Sequence, residues 1–373
     1  MPAPKNSAPP LLRPQATVML SRVAHSLYWM SRYIERAENL ARLLDVNLQL
    51  LLDFQGFNDR TIKDHWGSII VASGDEELFK KCHETADSRS VTDFFAFDLR
   101  NPNSILSCIF AARENARMIR DQISLEMWET VNELYLYLHE RTAEEIWATG
   151  AAEFFSNIKR AAHLFQGLTA STYSRSEGWE FIEFGKYVER ADKTTRILDV
   201  KYHILLPEAT DVGGAVDTAQ WQAVLRSASA LEAYRRFYVR EILPWKVAEF
   251  LIFSESFPRS LHFCVAQVDE FLRRILGETA VRPRTEAART SKRLLADLQS
   301  LSITDVLQEH GLHEFLLDVQ NSLDRIGHEV VQTTMFYPAD SAPDEQQQQQ
   351  TQQQQSRSRG GEGNKLKGAE TDR

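Results

Sequence analysis

The chain has 373 residues, of which 43% are hydrophobic, 25% charged and 10% aromatic, a composition that buries a sizeable core and excludes disorder over the full length. Its 43 Lys and Arg stand against 52 Asp and Glu, a formal net charge of −9, which argues against nucleic acid or an acidic membrane as the main ligand. No stretch approaches the roughly 18 uninterrupted apolar residues of a membrane span, the opening MPAPKNSAPPLLRPQ has no apolar signal core, and Cys82, Cys108 and Cys264 are too scattered for a disulfide framework. A cytoplasmic protein with packed, reduced thiols is the expectation.

Residues 1–18 hold five of the 12 prolines and read as a disordered extension. From Met19 to Tyr337 only Pro102, Pro207, Pro244, Pro258 and Pro283 occur, the proline economy of a helical domain. Apolar residues recur at spacings of three and four, most clearly Leu27, Met30, Ile34, Ala37, Ala41, Leu44 and Leu48, which predict one face of a long first helix. Asn101-Pro102 and Phe257-Pro258 each precede a periodic run, so each proline is expected at a first helical position. Loops are expected near 54–56, 207–214 and 277–283. Residues 339–373, rich in glutamine, glycine and charge, cannot bury enough apolar area to offset the entropy of ordering and read as a second disordered tail. The fold expected is all-α: one helical domain over 19–338.

That domain carries an internal duplication. Ser31-Arg32-Tyr33-Ile34-Glu35-Arg36-Ala37-Glu38, with Arg42-Leu43-Leu44-Asp45-Val46 after it, returns 154 residues later as Gly185-Lys186-Tyr187-Val188-Glu189-Arg190-Ala191-Asp192, with Arg196-Ile197-Leu198-Asp199-Val200 after it. Pro102, Ser104 and Cys108 return as Pro258, Ser260 and Cys264, and Arg160 and His163 as Arg325 and His328. Matches in one order with slowly growing offsets predict two tandem, pseudo-symmetric units, about 19–173 and 174–338.

Beside the apolar stripe runs a polar one: Ser31, Glu35, Glu38, Arg42 and Asp45, repeated as Gly185, Glu189, Asp192, Arg196 and Asp199. This spacing places each set on one helix edge. Arg42 and Arg196 can hold the preceding carboxylates in fork-like contacts, and the small Ser31 or Gly185 admits a neighbouring backbone. Two readings follow: an ion-pair network that fixes helix register, or two acidic edges converging on a pocket for a cation, an amine or Mg²⁺, with Glu35, Glu38, Glu189 and Asp192 as the candidate acid–base groups. Arg32 and Arg36, with Lys186 and Arg190, form the opposite flank, either solvated or facing an anionic partner. Arg113, Arg117 and Arg120 share one face with Glu114 and Asn115 nearby, and need anions from the bundle or from a ligand. Pro258-Arg259-Ser260 reads either as a plain helix start that needs no ligand or as one whose free N–H groups hold an anion. Four histidines, His25, His163, His262 and His328, follow an arginine by three positions and are expected to be neutral core residues. His310 and His313 make half a metal site at most, and no P-loop, GxGxxG, GxSxG or HExxH motif occurs. No metal and no cofactor are expected.

Met19-Leu20-Ser21-Arg22, Leu27-Tyr28-Trp29-Met30-Ser31-Arg32-Tyr33-Ile34-Glu35-Arg36-Ala37-Glu38, Ala112-Arg113-Glu114-Asn115-Ala116-Arg117, Glu189-Arg190-Ala191 and Phe257-Pro258-Arg259-Ser260 together resemble the bacterial alpha-E family, with serine at position 31 where the family usually has glycine. The resemblance implies a helical protein encoded with, or fused to, a circularly permuted ATP-grasp protein, often accompanied by a transglutaminase-like protein. ATP-grasp enzymes activate a carboxylate as an acyl phosphate for attack by an amine. The implied role is an accessory or substrate-presenting partner in amide or peptide ligation, with Arg32, Arg36, Arg42, Arg113, Asn115, Arg117, Arg190, Arg196, Arg259 and Ser260 as candidate substrate or partner contacts. The alternatives are an enzyme of the same pathway using the repeated carboxylates, and a purely structural scaffold.

Overall fold

The computed structural model describes residues 19–53, 59–203, 214–238, 241–278 and 283–335. Among them the fold is all-α, without a strand. The tail readings, most of the three expected loops and the last residues of the domain lie outside the described residues.

The helices of the first half are α1 Ser21–Asp53, α2 Asp59–Ser73, α3 Glu76–Cys82, α4 Ser88–Ala96, α5 Ile105–Met118, α6 Leu125–His139, α7 Ala143–Thr149 and α8 Ala151–Thr172. Those of the second are α9 Glu177–His203, α10 Ala215–Ser227, α11 Leu231–Tyr238, α12 Pro244–Phe253, α13 Leu261–Ile275, α14 Glu286–Ser300, the single turn α15 Ile303–Asp305 and α16 Leu312–Val330. Val306–His310 and Val331–Met335 are π-helical turns.

The long helices α1 and α9 pack on each other at the centre. Helices α5 and α8 flank α1 and are bridged by α6; α13 and α16 flank α9 and are bridged by α14. Helix α2 crosses onto α9, and α10 onto α1. All seven residues of the predicted apolar stripe of α1, from Leu27 to Leu48, are buried. They join Phe181, Phe184, Val188, Ala191 and Leu198 of α9 in the core, so burial of one apolar stripe per helix holds the central pair together.

Close approach of α1 and α9 depends on Gly185. A Cβ there would lie 2.6 Å from the backbone oxygen of Tyr28, and a backbone atom cannot step aside as the end of a side chain does. Gly185→Ala is therefore expected to cost about 1–3 kcal/mol, read from urea unfolding; an unchanged midpoint would show that the helices separate freely.

Two expectations about helix starts need correction. Helices α5 and α13 begin three residues later than the prolines suggest: Ser104 and Ser260 are their N-caps, accepting hydrogen bonds from the backbone N–H of Ser107 at 3.2 Å and Phe263 at 3.1 Å. A serine hydroxyl satisfies a free N–H that proline leaves alone, so Pro102 and Pro258 occupy the preceding turns. The proline that does open a helix is Pro244.

Cys108 and Cys264 are buried, with Sγ 3.5 Å from the carbonyl oxygens of Asn103 and Pro258 respectively, and burial pushes both thiols up to about 12. Cys82 is partly exposed. A thiol reagent at neutral pH is expected to titrate Cys82 alone in the native protein and all three after unfolding. Rapid native labelling of a second thiol would contradict this packing.

Candidate functional site

The repeated Glu-Arg dipeptides meet at the contact of α1 and α9, and they pair by exchange. Glu35 of α1 accepts two hydrogen bonds from Arg190 of α9, at 2.8 and 3.0 Å. Glu189 of α9 accepts two from Arg36 of α1, at 2.6 and 2.9 Å, and a third from Arg32 at 2.8 Å. Each glutamate therefore takes a guanidinium from the other helix. Glu35 is 1% exposed and Glu189 fully buried.

Around Glu35 the remaining donors come from three directions. Arg259, in the turn before α13, donates one arm to Glu35 at 2.8 Å and the other to Glu38 at 2.9 Å. Gln166 of α8 donates at 2.8 Å and Asn39 at 3.2 Å. Glu38 also meets Arg42, and His163 of α8 lies 3.2 Å away. Burial alone would raise the Glu35 carboxyl, but Arg190 and Arg259 outweigh it and hold the group well below the usual carboxylate range. Arg259 is itself lowered to about 10 by burial, with neighbouring Arg190 adding to the effect against the pull of Glu35, and Arg42 falls for want of solvent and because Arg259 crowds it. Three guanidiniums thus share two carboxylates in a dry site.

Around Glu189 the arrangement differs in detail. Arg36 spends its third nitrogen on the Asn103 side chain at 2.8 Å, and Lys193 stands 3.6 Å from Glu189 and 3.1 Å from Asp192. Arg196 grips Asp192 at 2.9 Å and donates to the carbonyls of Ala72 and Ser73 at the end of α2, which a helix C-terminus otherwise leaves unpaired. Burial raises Asp192, but Lys193 and Arg196 hold it at about 2. Glu189 is pulled well below its ordinary range, Arg36 and Arg32 overcoming burial. Farther along the stripe, Asp45 pairs with Lys159 of α8 at 2.7 Å, and Asp199 with His313 of α16 at 2.7 Å.

The candidates are distributed as follows. Glu35, Glu38, Arg42, Arg190 and Arg259 form one centre; Arg32, Arg36, Glu189, Asp192 and Arg196 form the other. Arg32 and Arg36, expected on a flank, lie inside the helix contact because their partner is on α9. Arg259 does not leave its helix start open to an anion: its side chain turns to Glu35 and Glu38, and Ser260 caps the N–H groups. Arg113, Asn115 and Arg117 belong to neither centre. Arg113 donates to Asn132 of α6 at 2.8 Å, Asn115 to the carbonyl of Ala111, and Arg117, 60% exposed, pairs with Glu114 at 2.6 Å. Of the four Arg-spaced histidines only His262 is buried; His25, His163 and His328 are exposed, because a spacing of three within a helix fixes a face without saying which way it points. Burial lowers His25 and His163.

Asn103, Gln166, Lys193 and His163 complete the centres, Lys159 pairs with Asp45 beyond them, and none of these was among the candidate site residues. The repeat register held a signal for two of them: Asn103 occupies the position matched to Arg259, and Lys193 the one matched to Asn39.

Chemically, the arrangement clamps helices. A general base needs an accessible lone pair and a carboxyl that takes a proton near working pH; Glu35 and Glu189 have neither. A crevice of only about 30 Å³ opens beside the second centre, between Arg36, Asp75, Asn103, Lys193 and Arg196. A cavity of about 630 Å³ between α14 and α16 shares no residue with either centre. Among the described residues no group of three or more His, Cys, Asp or Glu side chains is placed to hold a metal, and no helix is long and apolar enough to cross a membrane.

Comparison with known proteins adds relatives without assigned activity. An uncharacterized protein of Mycobacterium bovis and two of Mycobacterium tuberculosis are each 24% identical to the chain over 361 residues, an overlap of 90% of this chain and 40% of the relative. The chain thus spans less than half the length of these relatives. No solved structure matches it. Residues 19–334, which contain both interlocked Glu-Arg pairs, match the model of a predicted α-helical domain with a conserved ER motif, and the chain belongs to that family, Alpha-E.

Proposed function

We propose that the protein is a non-catalytic helical subunit of an ATP-grasp amide-ligating system, holding a partner or presenting its substrate while the partner performs the chemistry. The observation that carries this reading is the state of the repeated carboxylates: Glu35 and Glu189 are buried, ionised and fully engaged by arginines, so the best acid–base candidates in the chain are committed to structure. Relatives more than twice as long as the matched region support a module that works beside another. The net charge of −9 favours a protein or small-molecule partner over nucleic acid.

The test is reconstitution with the circularly permuted ATP-grasp protein encoded nearest to it, measuring ATP consumption with amine and carboxylate donors. The mixture is expected to turn over ATP well above the sum of the separate proteins. Turnover by this chain alone would establish an enzyme, and a mixture no better than the sum would leave a scaffold.

A further inference from the structure

We propose that the outer face of α5 and α6 is a self-complementary docking surface for a second copy of this chain. The two helices run antiparallel, and their register is fixed by side chains in the groove between them: the Phe110 ring lies 5.9 Å from that of Tyr135, Arg113 bonds Asn132 and stacks 4.8 Å from the Tyr135 ring, and Arg120 stacks 4.8 Å from the Trp128 ring. Arg113 and Arg120 are thereby held in place before any partner arrives, which lowers the entropy cost of docking.

Outward from this groove the two helices differ in sign. Helix α5 presents Arg113 and Arg117, both paired with Glu114, and Arg120 just beyond its end is followed by the exposed Asp121, so three guanidiniums stand against two carboxylates. Helix α6 presents Glu126, Glu129 and Glu133, all exposed, and no arginine or lysine. At one end of the face stand Phe110 and Leu136, each 47% exposed, and at the other Met118 at 54% and Leu125 at 60%. A positive helix beside a negative one, with apolar residues at both ends, is what an isologous contact requires.

The register tells which residues would meet. A two-fold axis lying in the face and parallel to the helices sets α5 of one copy over α6 of the other at unchanged height. Phe110 then falls on Leu136 of the second copy, Arg113 on Glu133, Arg117 on Glu129, and Arg120 on Glu126. The three charge matches and the Phe110–Leu136 match share that one alignment, with Met118 and Leu125 about one helical turn apart. The face is two helices wide and about 20 Å long, at the small end of stable interfaces, so association in the micromolar range is expected.

Sedimentation of the full chain over about 1–200 µM tests this at the affinity such an area supports. The weight-average mass is expected to rise from 42.8 kDa towards twice that value. Arg117→Glu and Glu129→Arg should each weaken association about tenfold or more, and the two changes together should restore it to within about threefold. Both positions are exposed, so far-ultraviolet circular dichroism should be the same in all four proteins. Three results would each overturn the proposal: a wild-type mass that stays at one chain throughout, single reversals that leave association unchanged, or a double variant weaker than either single one.

Discussion

Glu35→Ala is expected to destabilise the protein by about 3–5 kcal/mol, the cost of leaving buried charge unpaired. Among the described residues the variant removes the carboxylate that pairs with Arg190 and one of the two that hold Arg259, while the site stays closed to water. Replacing Arg190 as well should recover much of the loss: Glu35→Met with Arg190→Met replaces the pair by apolar groups of similar volume, and Arg259 keeps Glu38 at 2.9 Å. Urea unfolding of Glu35→Met, Arg190→Met and the double variant forms a cycle. A double variant as unstable as the sum of the singles would show that Glu35 and Arg190 do not act as a pair.

Acid should unfold the protein early. Glu35, Glu189 and Asp192 are all depressed in the folded state, Asp192 to about 2. For a carboxylate lowered on folding, the stabilisation is complete above its unfolded value, about 4, and drains away as pH falls through that value towards the folded one. Each such group removes up to about 1.4 kcal/mol per pH unit, and three titrate together. The urea midpoint is therefore expected to be flat from neutral pH to about 5.5 and to fall steeply below about 4.5. A midpoint that holds level to pH 3 would mean that the carboxylates are solvated. Glu189→Gln, if it folds, should show a shallower acid slope than the parent chain, since one of the three groups no longer titrates.

Much of the fold could be read from the chain because it rests on periodicity. The run from Leu27 to Leu48 repeats at the pitch of a helix, and its burial follows from that alone. The Glu-Arg repeat was equally plain, identical at eight of its 13 aligned positions and conservatively changed at most of the others. What the spacing could not give was the direction of pairing. Positions 32 and 36 lie on the same helix as Glu35 but a quarter turn away from it, and along one helix that reads as a solvated flank. The partner of Arg36 is Glu189, 153 residues away, and only the contact of α1 with α9 reveals it. Arg259 was misread for the same reason: its local context is a helix start, whereas its guanidinium reaches back 224 residues to Glu35. The histidines show the converse error, since an Arg–His spacing carries no information about depth.

The exchange of glutamates and arginines between α1 and α9 bears on how the chain can come apart. A fragment ending at α8 would carry Glu35 without Arg190 and Arg259, together with Arg36 and Arg32 lacking Glu189; a fragment beginning at α9 would carry the complementary orphans. Neither piece has a sound native state of its own, and each holds what the other needs. The link between α8 and α9 is therefore mechanically secondary: cut there, the halves have every electrostatic reason to find one another again, and in the intact chain they should melt together as one cooperative unit.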